Sequence, residues 1–155
     1  MINWLVILDL LFLLILGFNL YWQAQIIVVA KYKYSSLILT IFFALWFWEV
    51  PQKSWTYVIL VAAFLTVTLM QGSGGIGKSR LVTRGLFTST ISYAQLTHVT
   101  LIPVQIPTVK PQVVTVFTTL KQRNVQLTFN RSFEEVQTEL RKLLPEKVKI
   151  EIASL

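Results

Sequence analysis

The chain changes solvent at Gly72. Between Met1 and Gln71 apolar residues run almost without a break, and the ionisable acids and bases are only Asp9, Lys31, Lys33, Glu49 and Lys53. From Gly72 onward the sequence is polar, alternating and basic, with eleven Lys and Arg against five Glu. Over the whole chain 54% of residues are hydrophobic and 14% charged, a balance too apolar for an ordinary soluble domain. The excess is confined to the first half, which places that half in lipid and the second half in water.

Three spans are predicted within residues 1–71, giving an α-helical transmembrane domain. The first runs from Trp4 to Trp22, the second from Ser35 to Trp48 and the third from Trp55 to Met70. A short turn from Val50 to Ser54, carrying Gln52 and Lys53, sets the last two as an antiparallel hairpin. The five tryptophans, at positions 4, 22, 46, 48 and 55, fall near the predicted span ends, where amphipathic rings favour the lipid–water boundary. The first residues carry no positive cluster and no small-residue cleavage site follows the apolar run, so the first segment reads as retained, not as a cleaved signal. Lys31 and Lys33 mark the first loop as cytoplasmic, and Lys78, Arg80 and Arg84 mark the region after the third span likewise. The expectation is a multi-pass protein of the bacterial plasma membrane, amino terminus outside and soluble tail inside.

The junction Gly72-Ser73-Gly74-Gly75-Ile76-Gly77-Lys78-Ser79 fits the phosphate-loop pattern G-x-x-x-x-G-K-[ST] letter for letter. A working loop of that type needs a buried strand before it, a helix after it and a carboxylate on another strand to hold magnesium. Here an apolar span precedes it, residues of strand character follow, and the single aspartate, Asp9, lies in the first span. Residues 72–78 therefore read as a flexible glycine-rich linker, with no nucleotide partner.

Residues 79–155 read as a small cytoplasmic α+β domain. Lys78 to Thr83 and Leu86 to Tyr93 flank a turn at Thr83-Arg84-Gly85, with Phe87, Ile91 and Tyr93 on one face of the second strand. His98 to Ile106 is extended but carries Pro103, which points to an edge or bent strand. Val113 to Leu120 and Val125 to Asn130 form a second hairpin, with Val125, Leu127 and Phe129 on one side. Ser132 and Glu135 make a capping box for a helix over 132–144, acidic in its first turn, basic in its last and stopped by Pro145. Its stripe of Phe133, Val136, Leu140, Leu143 and Leu144 suits the cover of an antiparallel sheet or partial barrel. Lys147 to Ile152 alternates again, with Val148, Ile150 and Ile152 expected inward.

Three stretches carry a family resemblance: Lys78 to Phe87, Ile91 to Val99, and the strand-to-helix passage from Val125 to Leu144. Together they resemble the bacterial pleckstrin-homology-like domains of small membrane proteins. The resemblance implies a seven-stranded barrel capped by one helix and carries over no catalytic residues.

Candidate functional residues are few. Asp9 is a carboxylate about a turn and a half inside the first span, a possible polar site that packing or hydration near the outer interface explains equally well. Lys78, Arg80 and Arg84 read either as topology signals or as ligands for anionic lipid headgroups. His98 is the only histidine, and with no cysteine in the chain neither a metal site, a disulfide nor a thiol nucleophile is expected. No cofactor and no nucleic-acid partner are expected, and the scarcity of acids, bases and nucleophiles argues against an enzyme. The favoured class is a non-enzymatic, membrane-anchored interaction or scaffolding module meeting lipid and an unidentified protein partner. The alternative places the business of the protein in its spans, as a transporter accessory subunit or an immunity-type membrane protein.

Overall fold

The computed structural model describes residues 3–51, 54–85 and 89–153. Its first half contains three apolar helices, α1 (Trp4–Ala24), α2 (Tyr34–Trp48) and α3 (Trp55–Met70), with α3 packed between the other two. Phe64 of α3 is the hub of this packing. Its ring meets Phe12 of α1 edge-on at 5.6 Å, and Phe43 and Phe47 of α2 edge-on at 5.2 and 5.6 Å. Such edge-to-face contacts set rings of the three helices at fixed depth. The outward faces are apolar as well: Leu10, Leu14, Ile38, Phe42, Leu45 and Ile59 are all exposed.

Element lengths correct the three-span reading. The 21 residues of α1 extend about 32 Å at about 1.5 Å per residue, enough for a hydrocarbon layer of about 30 Å. The 15 residues of α2 and 16 of α3 extend about 22 and 24 Å, and among the described residues α1 alone is long and apolar enough to cross a membrane. Both helices keep the expected bounds to within one residue, and local features fix their ends. Residues upstream of α2 are drawn into extended pairing, and α3 stops where the glycines begin. Ser54 caps α3 by accepting the Tyr57 N–H at 3.3 Å, while the tip of the expected turn at Gln52 and Lys53 lies outside the described residues.

The strands form two four-stranded sheets where one antiparallel sheet or partial barrel was expected. The first has the order β1 (Ile26–Val29), β2 (Gly75–Gly77), β3 (Arg80–Val82), β4 (Thr90–Ser92), all antiparallel. The second is ordered β7 (Asn124–Phe129), β6 (Gln112–Thr119), β5 (Leu96–Val104), β8 (Lys149–Ile152), with β8 parallel to β5 and the other pairs antiparallel. The Lys31 N–H donates to the Thr128 carbonyl at 2.6 Å, tying the end of the β1 segment to β7.

Two details of the second sheet depart from the sequence reading. β5 is interior, between β6 and β8, despite Pro103. Its pairing with β8 ends at Leu101, so the proline, which has no N–H to give, lies where β5 has only β6 beside it. Ile152, expected inward, is exposed at the last position of β8, whereas Val148 is buried and Ile150 half-buried. The β3–β4 pairing matches the expected hairpin, while its assigned residues Leu86, Phe87 and Thr88 lie outside the described residues.

Helix α4 (Phe133–Leu143) follows the sequence reading closely. Ser132 Oγ accepts the Glu135 N–H at 3.4 Å, and Val136 and Leu140 are fully buried with Phe133, Leu143 and Leu144 packed beside them. One core joins the sheets and this helix: Val28, Ile76, Leu81, Val99, Phe117, Leu127 and Phe129 are buried in it.

The core thus includes Val28 and Ala30 from the segment between α1 and α2, and Ile76 from the glycine run. A fragment covering 78–155 lacks all three and two of the four strands of the first sheet. It is expected to show no cooperative melting transition by circular dichroism, whereas the full chain does. A cooperative melt of the fragment would contradict this core.

Candidate functional site

The ends of α1, α2 and α3 that face the β unit converge on the glycine run, which is built into the sheet. Gly75, Ile76 and Gly77 are buried as β2 between β1 and β3, not arranged as a loose tether. On either side of β2 the two chain segments are zipped together: Ala30 N–H donates to Gly74 O at 2.9 Å, Lys33 N–H to Gly72 O at 3.0 Å, and Lys78 N–H to Gln25 O at 3.2 Å. Tyr32 Oη reaches the Leu69 carbonyl at 2.6 Å, and Gln23 Nε2 the Met70 carbonyl at 3.2 Å.

This closeness explains the glycines. A Cβ on Gly75 would stand 2.3 Å from the Val28 carbonyl oxygen, one on Gly77 2.6 Å from that of Arg80, and one on Gly72 2.5 Å from the Tyr32 ring. The letters of a phosphate loop are present, but a helix precedes the run, strand β3 follows it, and its small residues let neighbouring backbone approach.

The structure gives the three predicted basic residues different surroundings. Lys78 is exposed at the end of β2. The Arg80 guanidinium lies 5.4 Å from the centre of the Trp22 ring, a cation–π contact linking β3 to α1, and its Nη1 donates to Thr90 Oγ1 at 3.2 Å. Arg84 is half-buried and its Nη2 donates to the Lys31 carbonyl. Burial lowers its pKa from the ordinary arginine value.

Arg84 also lines a cavity of about 430 Å³ between the amino end of α2 and the carboxyl end of α3. Lys33, Ser35, Ser36, Leu39 and Gln71 line the rest, with the Gly85 backbone. Arg84 Nε and Gln71 Nε2 are buried and have no hydrogen-bond partner. The sequence reading took Lys33 as a topology signal and Arg84 as a topology signal or a lipid-headgroup ligand, and gave Gln71 and Ser36 no role at a site. The available hint was the polar Ser35-Ser36 pair at the start of α2, where Lys33 holds the cap position.

In α1, Asp9 is 7% exposed and Asn19 1%, and the Oδ1 of each has no hydrogen-bond partner. Both residues lie on the packed side of the helix. His98 Nε2 lies 3.1 Å from Glu151, joining β5 to β8, and among the described residues no group of three or more His, Cys, Asp or Glu is placed to hold a metal ion.

Tyr93 is a structural residue that composition did not single out. Its buried hydroxyl donates to the Gly77 carbonyl and lies 3.3 Å from that of Arg80, pinning β2 and β3 where the chain turns from the first sheet to the second. Burial pushes its pKa up from the ordinary tyrosine value.

In comparisons with known proteins, no family model, no curated protein and no solved structure matches the chain.

Two substitutions separate backbone packing from surface chemistry in the glycine run. Gly75→Ala is expected to destabilise the protein by about 1–3 kcal/mol, as overpacking of a filled interior does, because the methyl group meets the Val28 carbonyl. Lys78→Ala, at an exposed position, should stay within about 0.5 kcal/mol. Denaturant unfolding of both variants in the same detergent reads the difference. A neutral Gly75→Ala would contradict the close approach of β1 and β2.

Proposed function

We propose that the chain is a non-enzymatic, membrane-anchored interaction module that holds a basic β unit against the cytoplasmic face of a bacterial plasma membrane. The observation that carries this reading is the partition of exposed apolar surface. Large apolar side chains face outward along α1 and α2 and near both ends of α3, whereas the β unit buries most of its own in one core and leaves only scattered ones, such as Val29, Leu120 and Ile152, exposed. A surface of that kind on a helical bundle calls for lipid or another apolar partner.

In this reading α1 is the crossing helix. The α2–α3 hairpin enters the apolar layer beside it and returns to the face it started from. Trp22 marks the near boundary, and Trp46, Trp48 and Trp55 lie toward the hairpin tip. Lys31, Lys33, Lys78, Arg80 and Arg84 all lie at the end of the bundle that meets the sheets, which supports a cytoplasmic β unit and an external amino terminus. The sequence resemblance to pleckstrin-homology-like domains favours a binding role, and a single histidine, a single aspartate and no cysteine favour a role without catalysis or nucleotide turnover. β4 and β8 lie at sheet edges and offer strand addition to a protein partner.

The buried, unpartnered Asp9 and Asn19 oxygens support a second reading, in which polar groups inside the helical bundle serve the work of a transporter accessory or immunity-type subunit. Replacing both by Leu discriminates the two, because the first reading expects membrane insertion and partner binding by the β unit to persist.

A reporter fused after Leu155 should be active only in its cytoplasmic form, and the protein should resist alkaline carbonate extraction from membranes. An externally active reporter, or release by carbonate, would overturn the anchoring or its orientation.

A further inference from the structure

The cavity at the start of α2 is lined by hydrogen-bond donors that no described residue answers. Arg84 uses Nη2 on the Lys31 carbonyl, and its Nε stays buried without an acceptor. Gln71 Nε2, across the same cavity, is in the same state. Ser36 is itself more than nine-tenths buried there, at 8% exposure. A guanidinium N–H has no alternative to donation, so the group that completes this site is an acceptor.

Charge narrows the choice. Lys33 and Arg84 are the charged residues of the lining, and no acidic residue occupies it or the first turn of α2. The 15-residue helix opens on the cavity with Lys33 at its cap position and no side chain accepting from its first amides, so the positive end of the helix adds to the two cations. An anion with several acceptor oxygens answers guanidinium, carboxamide, hydroxyls and helix amides together, and a phosphate group has that geometry.

Position selects its source. The cavity lies where the apolar bundle meets the β unit, and Leu39, one turn into α2, extends its wall along the exposed apolar side of the helix. A phosphate held beside Arg84 would have apolar protein surface leading away from it. We propose that the cavity is a phosphate-binding site and that its occupant is the phosphate of an anionic membrane lipid. This rests on the membrane-anchored reading and goes beyond it, since general attraction of a basic surface to a bilayer needs no cavity and would count Lys78 as much as Arg84.

The test uses the full chain purified in neutral, phosphate-free detergent. A short-chain phosphatidylglycerol is titrated in and read by thermal shift, with inorganic phosphate as a separate arm. The wild type and Lys78→Gln should both saturate with the lipid. Arg84→Gln should bind at least tenfold more weakly. Because Arg84 also holds the Lys31 carbonyl, Ser35→Asp provides a second variant. It places a carboxylate in the first turn of α2, which suits the helix dipole, so the unliganded protein should melt no lower than the wild type while lipid binding is lost. Equal weakening by Lys78→Gln and Arg84→Gln, or unchanged binding in Ser35→Asp, would overturn the site. Inorganic phosphate competing as well as the lipid at equal concentration would overturn the lipid as the source. Membrane insertion is read separately by carbonate extraction, so a failed titration with retained insertion counts against the cavity alone.

Discussion

The fold depends on the pairing of β1 with β2. One strand lies between two apolar helices and the other directly follows a third, so their ladder stitches the helical bundle to the sheets at two points of the chain. The bonds that extend it, from Ala30 to Gly74 and from Lys33 to Gly72, carry the zipper up to the first residue of α2. Glycine makes the approach possible, because a side chain at position 75 would enter the space of the Val28 carbonyl. Through this ladder Val28 and Ile76 reach the core of the β unit, and the orientation of the bundle is transmitted to the sheets without a free hinge between them.

That rigidity gives the basic residues at the junction separate tasks. Arg80 joins sheet to bundle through Trp22, while Arg84 turns toward α2 and the cavity at its start. A tether would have left all three cations sampling the membrane surface alike. Built into strands, they are fixed at different places, and only Arg84 is set beside a cavity with unanswered donors. The exposed apolar faces of the helices and the core of the β unit then belong to one body rather than to two bodies on a string.

Elements whose signals are local were legible in the sequence. Ser132, Glu135 and the stripe through Val136 and Leu140 define α4 within one segment, and the alternation of Val125, Leu127 and Phe129 defines β7 against β6. Elements defined by distant partners were not. Ile26–Val29 is a β-branched run between two apolar helices, and nothing near it in sequence announces that its partner lies at Gly75–Gly77, past two further helices. Pro103 signalled an edge because the limit of the β8 pairing, at Leu101, is a tertiary fact. The three apolar stretches were legible as helices with ends within two residues of those observed, but α2 and α3, at 15 and 16 residues, were taken as spans although they fall short of a hydrocarbon layer of about 30 Å. Of the candidate site, Lys33 and Arg84 were visible as charges, while Gln71 and Ser36 gain meaning only when three helix and strand ends converge. Asp9 was visible as a lone acid, and its burial followed from which side of α1 packs.

The central claim is that residues 75–77 are a buried strand coupling bundle to sheet. Hydrogen–deuterium exchange of the full chain in lipid nanodiscs measures this directly, because ladder amides exchange only when the structure opens. The account predicts strong protection at Ile26, Val28 and Ile76, comparable with that of β6 in the core of the second sheet. Exchange of the glycine run at the rate of an unstructured peptide, while β6 stays protected, would contradict it.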